Sequence, residues 1–239
     1  MLIDTNDLDV GTRRATPRDV AAAKDLSLRV VRETPNPHPV EELFDTLRNA
    51  KFDPEFWGTL SARDCLRYDY KQFSTIPGSR NARDSGGDAR RGKFGMSSIL
   101  CRVKALAAKP RAAAALREFA LEHDVDSLAV MTVTLGEEGD MKKELLVFAG
   151  NERRSEQIRE FLESSQEGAF LRLRRRGSWA EGSTMGSDER GFCDRQGGNG
   201  GSNRSPEDGW FLWWELGNAV PSRKQIAPVM MSFYESLEP

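Results

Sequence analysis

The sequence predicts an α/β fold: a mixed β-sheet flanked by helices, with a helical region preceding it. Three observations carry that expectation. From about position 94 onward, short β-branched or aromatic runs alternate with amphipathic stretches at helical spacing. Ser127–Leu135 (SLAVMTVTL) reads as a β-branched buried strand. Trp210–Leu216 (WFLWWEL) is so aromatic that it reads as a strand buried on both faces. Strands and helices mixed in this order form two or three layers.

Residues 1–4 (MLID) read as the tail of a short apolar strand. Thr16 and Pro17 then open a helix, with Thr as N-cap, Pro at the first position and Asp19 in the first turn. Val20, Leu26, Val30 and Val31 continue it to about Glu33, where the run TPNPHP (34–39) breaks it as a linker. A second helix is expected over about 40–50, with Leu43, Phe44 and Leu47 on one face. The tetrad SARD (61–64) is a capping-box-like start, Asp standing in for Glu, to a short helix carrying Cys65 and Leu66.

Beyond it come a strand at 94–103 and an Ala/Leu-rich helix at 111–123 that His123 ends. The strand at 127–135, a turn at 137–140 and a returning strand at 144–148 follow. Glu152–Ser164 is amphipathic, with Ile158, Phe161 and Leu162 on one face. A short strand at 170–173, the aromatic strand and a Met- and Phe-rich final helix complete the order. Two segments fall outside this plan, about 78–92 (Gly, Arg, Asp) and about 177–209 (Gly, Ser, Asn). Their composition predicts polar, disordered surface insertions.

Composition narrows the function classes. With 38% hydrophobic and 30% charged residues, the 239-residue chain can bury a core and still carry polar insertions. No run approaches the roughly 20 apolar residues of a membrane span, and the N-terminus lacks a secretory signal. Cys65, Cys101 and Cys193 have no CxxC spacing, which points to a reducing compartment, the cytoplasm, and away from structural zinc. Cys65 and Cys101 are read as small core residues. Two isolated histidines, His38 and His123, are too few for a histidine metal centre. A formal charge of −2 gives no global attraction to nucleic acid. The basic run LRLRRRG (171–177) reads as a solvated strand edge in preference to an RNA contact.

Three stretches carry candidate chemistry: LRYDYKQF (66–73) with KFGMSS (93–98), PSRKQ (221–225), and LIDT (2–5). In this order they resemble the DHHA2 domain of DHH-superfamily phosphoanhydride hydrolases, the exopolyphosphatases, manganese-type inorganic pyrophosphatases and prune-like proteins. In that family a D-[YF]-K stretch precedes a K-x-G-x-S strand, and S-R-K-Q stands near the C-terminus. The resemblance runs from about Phe56 to Leu237 and implies three regions. Residues 1–33 would be the end of a DHH domain and its following helix, 34–55 a linker with a helix, and 56–239 the DHHA2 domain. It implies that Lys71, Arg223 and Lys224 contact substrate phosphate and that Asp4 binds metal. Ser98 stands where short bacterial pyrophosphatases usually carry Gln, so the exopolyphosphatase branch is the nearer one.

The physics fits such roles. Splitting a phosphoanhydride needs a metal-activated water and cations that neutralise the charge spreading over phosphate oxygens. Arg presents a planar fork and Lys a point charge. Cations near a helix N-terminus oppose the macrodipole, so they serve an anion better than they serve stability. Ser222 with Gln225 fits a capping box, whereas Pro228 would remove a helical bond to Lys224. The Arg223–Lys224 pair therefore lies either in the first turn or in the loop before it. Asp69 reads as the partner of Arg67 or Lys71.

An Asp-His-His triplet is absent, and Asp7 and Asp9 do not stand in the family's place. One carboxylate, Asp4, does not assemble a two-metal site. The expectation is thus a phosphate- or polyphosphate-binding C-terminal domain of an exopolyphosphatase- or pyrophosphatase-like hydrolase, inactive alone. A non-catalytic interaction or phosphate-sensing module is the alternative. The resemblance implies Mn²⁺ or Mg²⁺ in a complete enzyme and pyrophosphate or polyphosphate as ligand. A protein partner or homo-oligomer is the further expectation, with no nucleic acid and no membrane.

Overall fold

The computed structural model describes residues 15–33, 40–75, 92–137, 139–179, 210–217 and 222–237. The chain forms two compact units, Met1–Asp53 and Pro54–Pro239.

In the first unit, helix α1 spans Pro17–Glu33 and helix α2 spans Val40–Lys51. Thr16 and Asp19 cap α1 reciprocally. The Thr16 N–H donates to Asp19 Oδ2 at 2.8 Å, and the Asp19 N–H to Thr16 Oγ1 at 3.3 Å. Hydrogen bonds from Thr16 hold the Asp19 carboxyl below its usual range. Arg48 and Lys51 complement the dipole at the end of α2.

The second unit opens with two short helices, α3 (Pro54–Thr59) and α4 (Ala62–Arg67), before strands β1 (Tyr70–Thr75) and β2 (Gly92–Ile99). Helices α5 (Val103–Ala107) and α6 (Ala112–Glu122) lead to the hairpin β3 (Ser127–Leu135) and β4 (Met141–Ala149). Then come α7 (Glu152–Ser164), α8 (Gln166–Ala169), β5 (Leu173–Trp179), β6 (Trp210–Leu216) and α9 (Arg223–Ser236). The strands form one six-stranded mixed sheet in the order β1-β2-β3-β4-β6-β5. Only β2 and β3 run parallel, joined through α5 and α6, and the other neighbours are antiparallel.

Strand alternation sorts the side chains between two helical layers. Phe94 stacks on Tyr234 of α9, and Ser127 Oγ lies 2.7 Å from the Tyr234 hydroxyl. Trp214 Nε1 donates to Glu163 of α7, so α7 and α9 cover this face. On the opposite face, Ser97 Oγ donates to the Leu66 carbonyl of α4, and Tyr70 packs edge-on against Phe119 of α6. The result is three layers, with β3 buried from Ser127 to Val133 and Phe211, Leu212, Trp213 and Trp214 buried in β6.

Three expectations need correction. The strand placed at 94–103 ends at Ile99, because the Glu144 carboxylate accepts the Val103 N–H at 2.9 Å and starts α5 there. The strand placed at 170–173 begins only at Leu173. Phe170 caps α8, and Arg172 adopts a positive φ of 49° that turns the chain. That strand then runs to Trp179, so 177–179 belong to β5 and Gly92 to β2, not to insertions. The rest of both expected insertions lies outside the described residues, as do LIDT and His38. Helices α3, α5 and α8 and strand β1 are elements the sequence did not announce.

Candidate functional site

The N-terminus of α9 is set by its own sequence. The Ser222 N–H donates to Gln225 Oε1 at 2.8 Å, and the Lys224 N–H reaches Ser222 Oγ at 3.3 Å, forming the capping box. Arg223 and Lys224 therefore stand in the first helical turn, not in the preceding loop, and Pro228 lies inside the helix. Two cations at this position run against the helix dipole.

Arg223 is fixed across the fold. Its Nη1 lies 2.7 Å from Asp69 Oδ2 and donates to the Asp69 carbonyl at 3.0 Å. The same carbonyl accepts the Ser98 N–H at 3.3 Å, joining β1 to the C-terminal end of β2. The carboxylate of Asp69 thus serves Arg223, where the sequence suggested Arg67 or Lys71. Arg67 sits near Glu122 instead, at 4.0 Å.

Lys71 follows two residues after Asp69, about 7 Å along the strand. It is paired in register with Met96, on the side where Phe73 stacks on Phe94 and Phe94 on Tyr234. Lys71 thus belongs to the α9 face of the sheet, at the end where α9 begins. Lys71 and Lys224 are both exposed. The structure brings Lys71 and Arg223 to one face and one end of the sheet, beside the C-terminal end of a parallel strand, where α/β sheets commonly bind ligands. Asp4 lies outside the described residues.

The K-x-G-x-S stretch turns out to be mostly structural. Lys93, Gly95 and Ser97 point to the α4–α6 side or its rim. Lys93 pairs with Asp124, and Ser97 is buried against the Leu66 carbonyl. A Cβ at Gly95 would stand 2.7 Å from Tyr70 Cε2, so only glycine leaves room for that ring. Alternation places Ser98, in contrast, on the α9 face beside Asp69. Strand parity, applied to KFGMSS, was the signal that could have separated these roles.

For a divalent metal the described residues do not fit. Among them no group of three or more His, Cys, Asp or Glu side chains is arranged to hold an ion. Cys65 and Cys101 are buried free thiols. Hydrogen bonding with Cys65, together with burial, pushes the Cys101 thiol well above its ordinary range. No described helix is long and apolar enough to cross a membrane.

The family model for the DHHA2 domain matches residues 45–233. That span includes Lys71, Arg223 and Lys224. No curated protein matches the chain.

Proposed function

We infer the function from one premise: the chain belongs to the DHHA2 domain family, which is associated with DHH-superfamily phosphoesterases. From that premise we propose that it is a phosphate- or polyphosphate-binding domain of an exopolyphosphatase- or pyrophosphatase-like phosphoanhydride hydrolase, with Lys71, Arg223 and Lys224 as the phosphate ligands. The observation that supports this most is the shared face: Arg223 is tied to Asp69, two residues from Lys71, at the start of α9. An arginine fork can bridge two oxygens of one phosphate, while flanking lysines neutralise neighbouring groups along a chain. Such cations stabilise the charge that builds on phosphate oxygens as a phosphoanhydride breaks.

In a complete enzyme of this kind, Mn²⁺ or Mg²⁺ would supply the activated water, and Asp4 would be one of its ligands. Lys71, Arg223 and Lys224 would bind and orient the anion. Two buried free thiols are in keeping with a reducing, cytoplasmic setting.

Calorimetric titration of the full chain with pyrophosphate and tripolyphosphate tests the reading. Binding that is weakened strongly in Arg223→Ala and less in Lys71→Ala is expected, and equal affinity in all three proteins would sink it. A hydrolysis assay with Mn²⁺ or Mg²⁺ tests the rest of the reading: no turnover is expected from the chain alone, and clear turnover would overturn that expectation. The alternative, a non-catalytic phosphate-sensing or interaction module, would act with a protein partner or a second copy of the chain.

A further inference from the structure

We propose that Asp69 is the positioning residue of this anion site. It clamps one corner of the Arg223 guanidinium and so leaves the opposite edge ordered for a phosphate. The inference rests on the reading of Arg223 as an anion ligand and adds the role of an acidic side chain that a polyanion site would otherwise exclude.

A guanidinium has five N–H donors in one plane. Arg223 Nη1 donates to the Asp69 carbonyl at 3.0 Å and forms an ion pair with Asp69 Oδ2 at 2.7 Å. Two contacts to a single residue restrict where the guanidinium can sit. Asp69 is itself anchored, since its carbonyl also takes the Ser98 N–H at the end of β2. The clamp is thereby referenced to the sheet, and it is half shielded: the Arg223 and Asp69 side chains are 26% and 41% exposed.

With Nη1 engaged, Nε and Nη2 have no partner among the described residues. Their two N–H bonds are parallel, the geometry that accepts two oxygens of one phosphate side-on. Holding a long side chain in place before the ligand arrives removes part of the entropic cost of binding. Coulomb's law alone makes a carboxylate beside a polyanion unfavourable. A plain surface ion pair would moreover compete with the ligand for Arg223. Positioning and competition therefore predict opposite signs when the charge of Asp69 is removed.

The test is calorimetric titration of inorganic pyrophosphate and tripolyphosphate into the full chain at low ionic strength. Wild type, Asp69→Asn, Asp69→Glu, Arg223→Ala and the Asp69→Asn/Arg223→Ala double variant are compared, with circular dichroism and thermal midpoints as folding controls. Asp69→Asn should bind about tenfold more weakly, the scale seen when a residue orienting a ligand is lost, although it removes a negative charge. Asp69→Glu should recover part of the affinity, and Asp69→Asn should cause no further loss once Arg223 is Ala. Unchanged or tighter binding by Asp69→Asn, with Arg223→Ala still weakened, overturns the positioning role alone. Equal binding by wild type and Arg223→Ala, or no binding by wild type, overturns the site reading and the positioning role together.

Discussion

The two ends of α9 lie on the same face of the same sheet and are built from opposite materials. At the C-terminal end, Tyr234 is fully buried, parallel to Phe94 within 3° at a centroid distance of 5.6 Å, and Phe94 stacks in turn on Phe73 at 5.0 Å. The Tyr234 hydroxyl is bonded to Ser127, and the Arg154 guanidinium lies 5.5 Å from its ring centroid. At the N-terminal end, Arg223 meets Asp69 and Lys224 is exposed. Aromatic burial of this kind stabilises strongly, whereas half-exposed ion pairs contribute little. The contrast teaches that one end fastens the helix and the other is free to carry a charge pattern that stability does not require.

The comparison can be broken from either end. Phe94→Ala removes the middle ring of the stack and should destabilise the fold by about 3–5 kcal/mol, read as a lower denaturation midpoint. A loss under about 1 kcal/mol would mean that the aromatic column is not the fastening. Arg223→Ala should do the reverse. Anion affinity should fall by roughly 1.5–3 kcal/mol, about 10- to 150-fold, while the thermal midpoint hardly moves. A large fall in midpoint with unchanged affinity would erase the distinction between the two ends.

A smaller effect sharpens the aromatic side. A Cβ at Gly92 would meet Tyr234 Cδ1 at 2.5 Å, against a ring already stacked on Phe94 and edge-on to Phe233. Gly92→Ala should therefore cost about 1–3 kcal/mol through overpacking, and pairing it with Phe94→Ala should recover part of that by opening space. On the charged side, Lys71→Ala and Lys224→Ala should each weaken anion binding by about 1 kcal/mol or less, with a shallower salt dependence of affinity than wild type.

The smallest expected effect involves neither end and serves as a control. Tyr70 is packed on the opposite face against Phe119 and His123, and its hydroxyl has no hydrogen-bond partner among the described residues. Burial pushes its phenol from the ordinary 10.0 up to about 12. Because the folded state holds the proton more tightly, the stability contribution is fully present below pH 10 and is lost as pH rises towards 12. Burial raises the Tyr234 phenol too, which adds to the same loss. Tyr70→Phe should leave stability at pH 7 near wild type and soften the alkaline decline, as followed by denaturation at several pH values. An unchanged alkaline profile would show that Tyr70 does not contribute to it.

Much of this molecule was readable from local sequence. Thr16, Pro17 and Asp19 announced α1, Ser61 with Asp64 announced α4, and Ser222 with Gln225 announced α9, because capping is decided within four residues. The strands at 127–135 and 210–216 were evident because a fully buried strand is apolar throughout. Strand β1 was not evident, since YKQFST at a sheet edge is half polar and gains its strand identity from pairing with β2. The early end of β2 escaped notice for a similar reason: the group that starts α5 is Glu144, 41 residues away.

The candidate site divides along the same line. The family resemblance, not residue type, nominated Lys71, Arg223 and Lys224 as phosphate contacts, since a lone cation in a sequence is usually a solvated surface group. Which acid holds Arg223 was decided by the fold, because Asp69 and Arg223 are 154 residues apart and meet only when α9 docks on β1. The sequence by itself determined the elements whose signals are local, the caps, periodicities and cation types. Only the tertiary structure decided which face each strand residue occupies and which charges meet, because strand parity and long-range pairing are set by how the sheet closes on its helices.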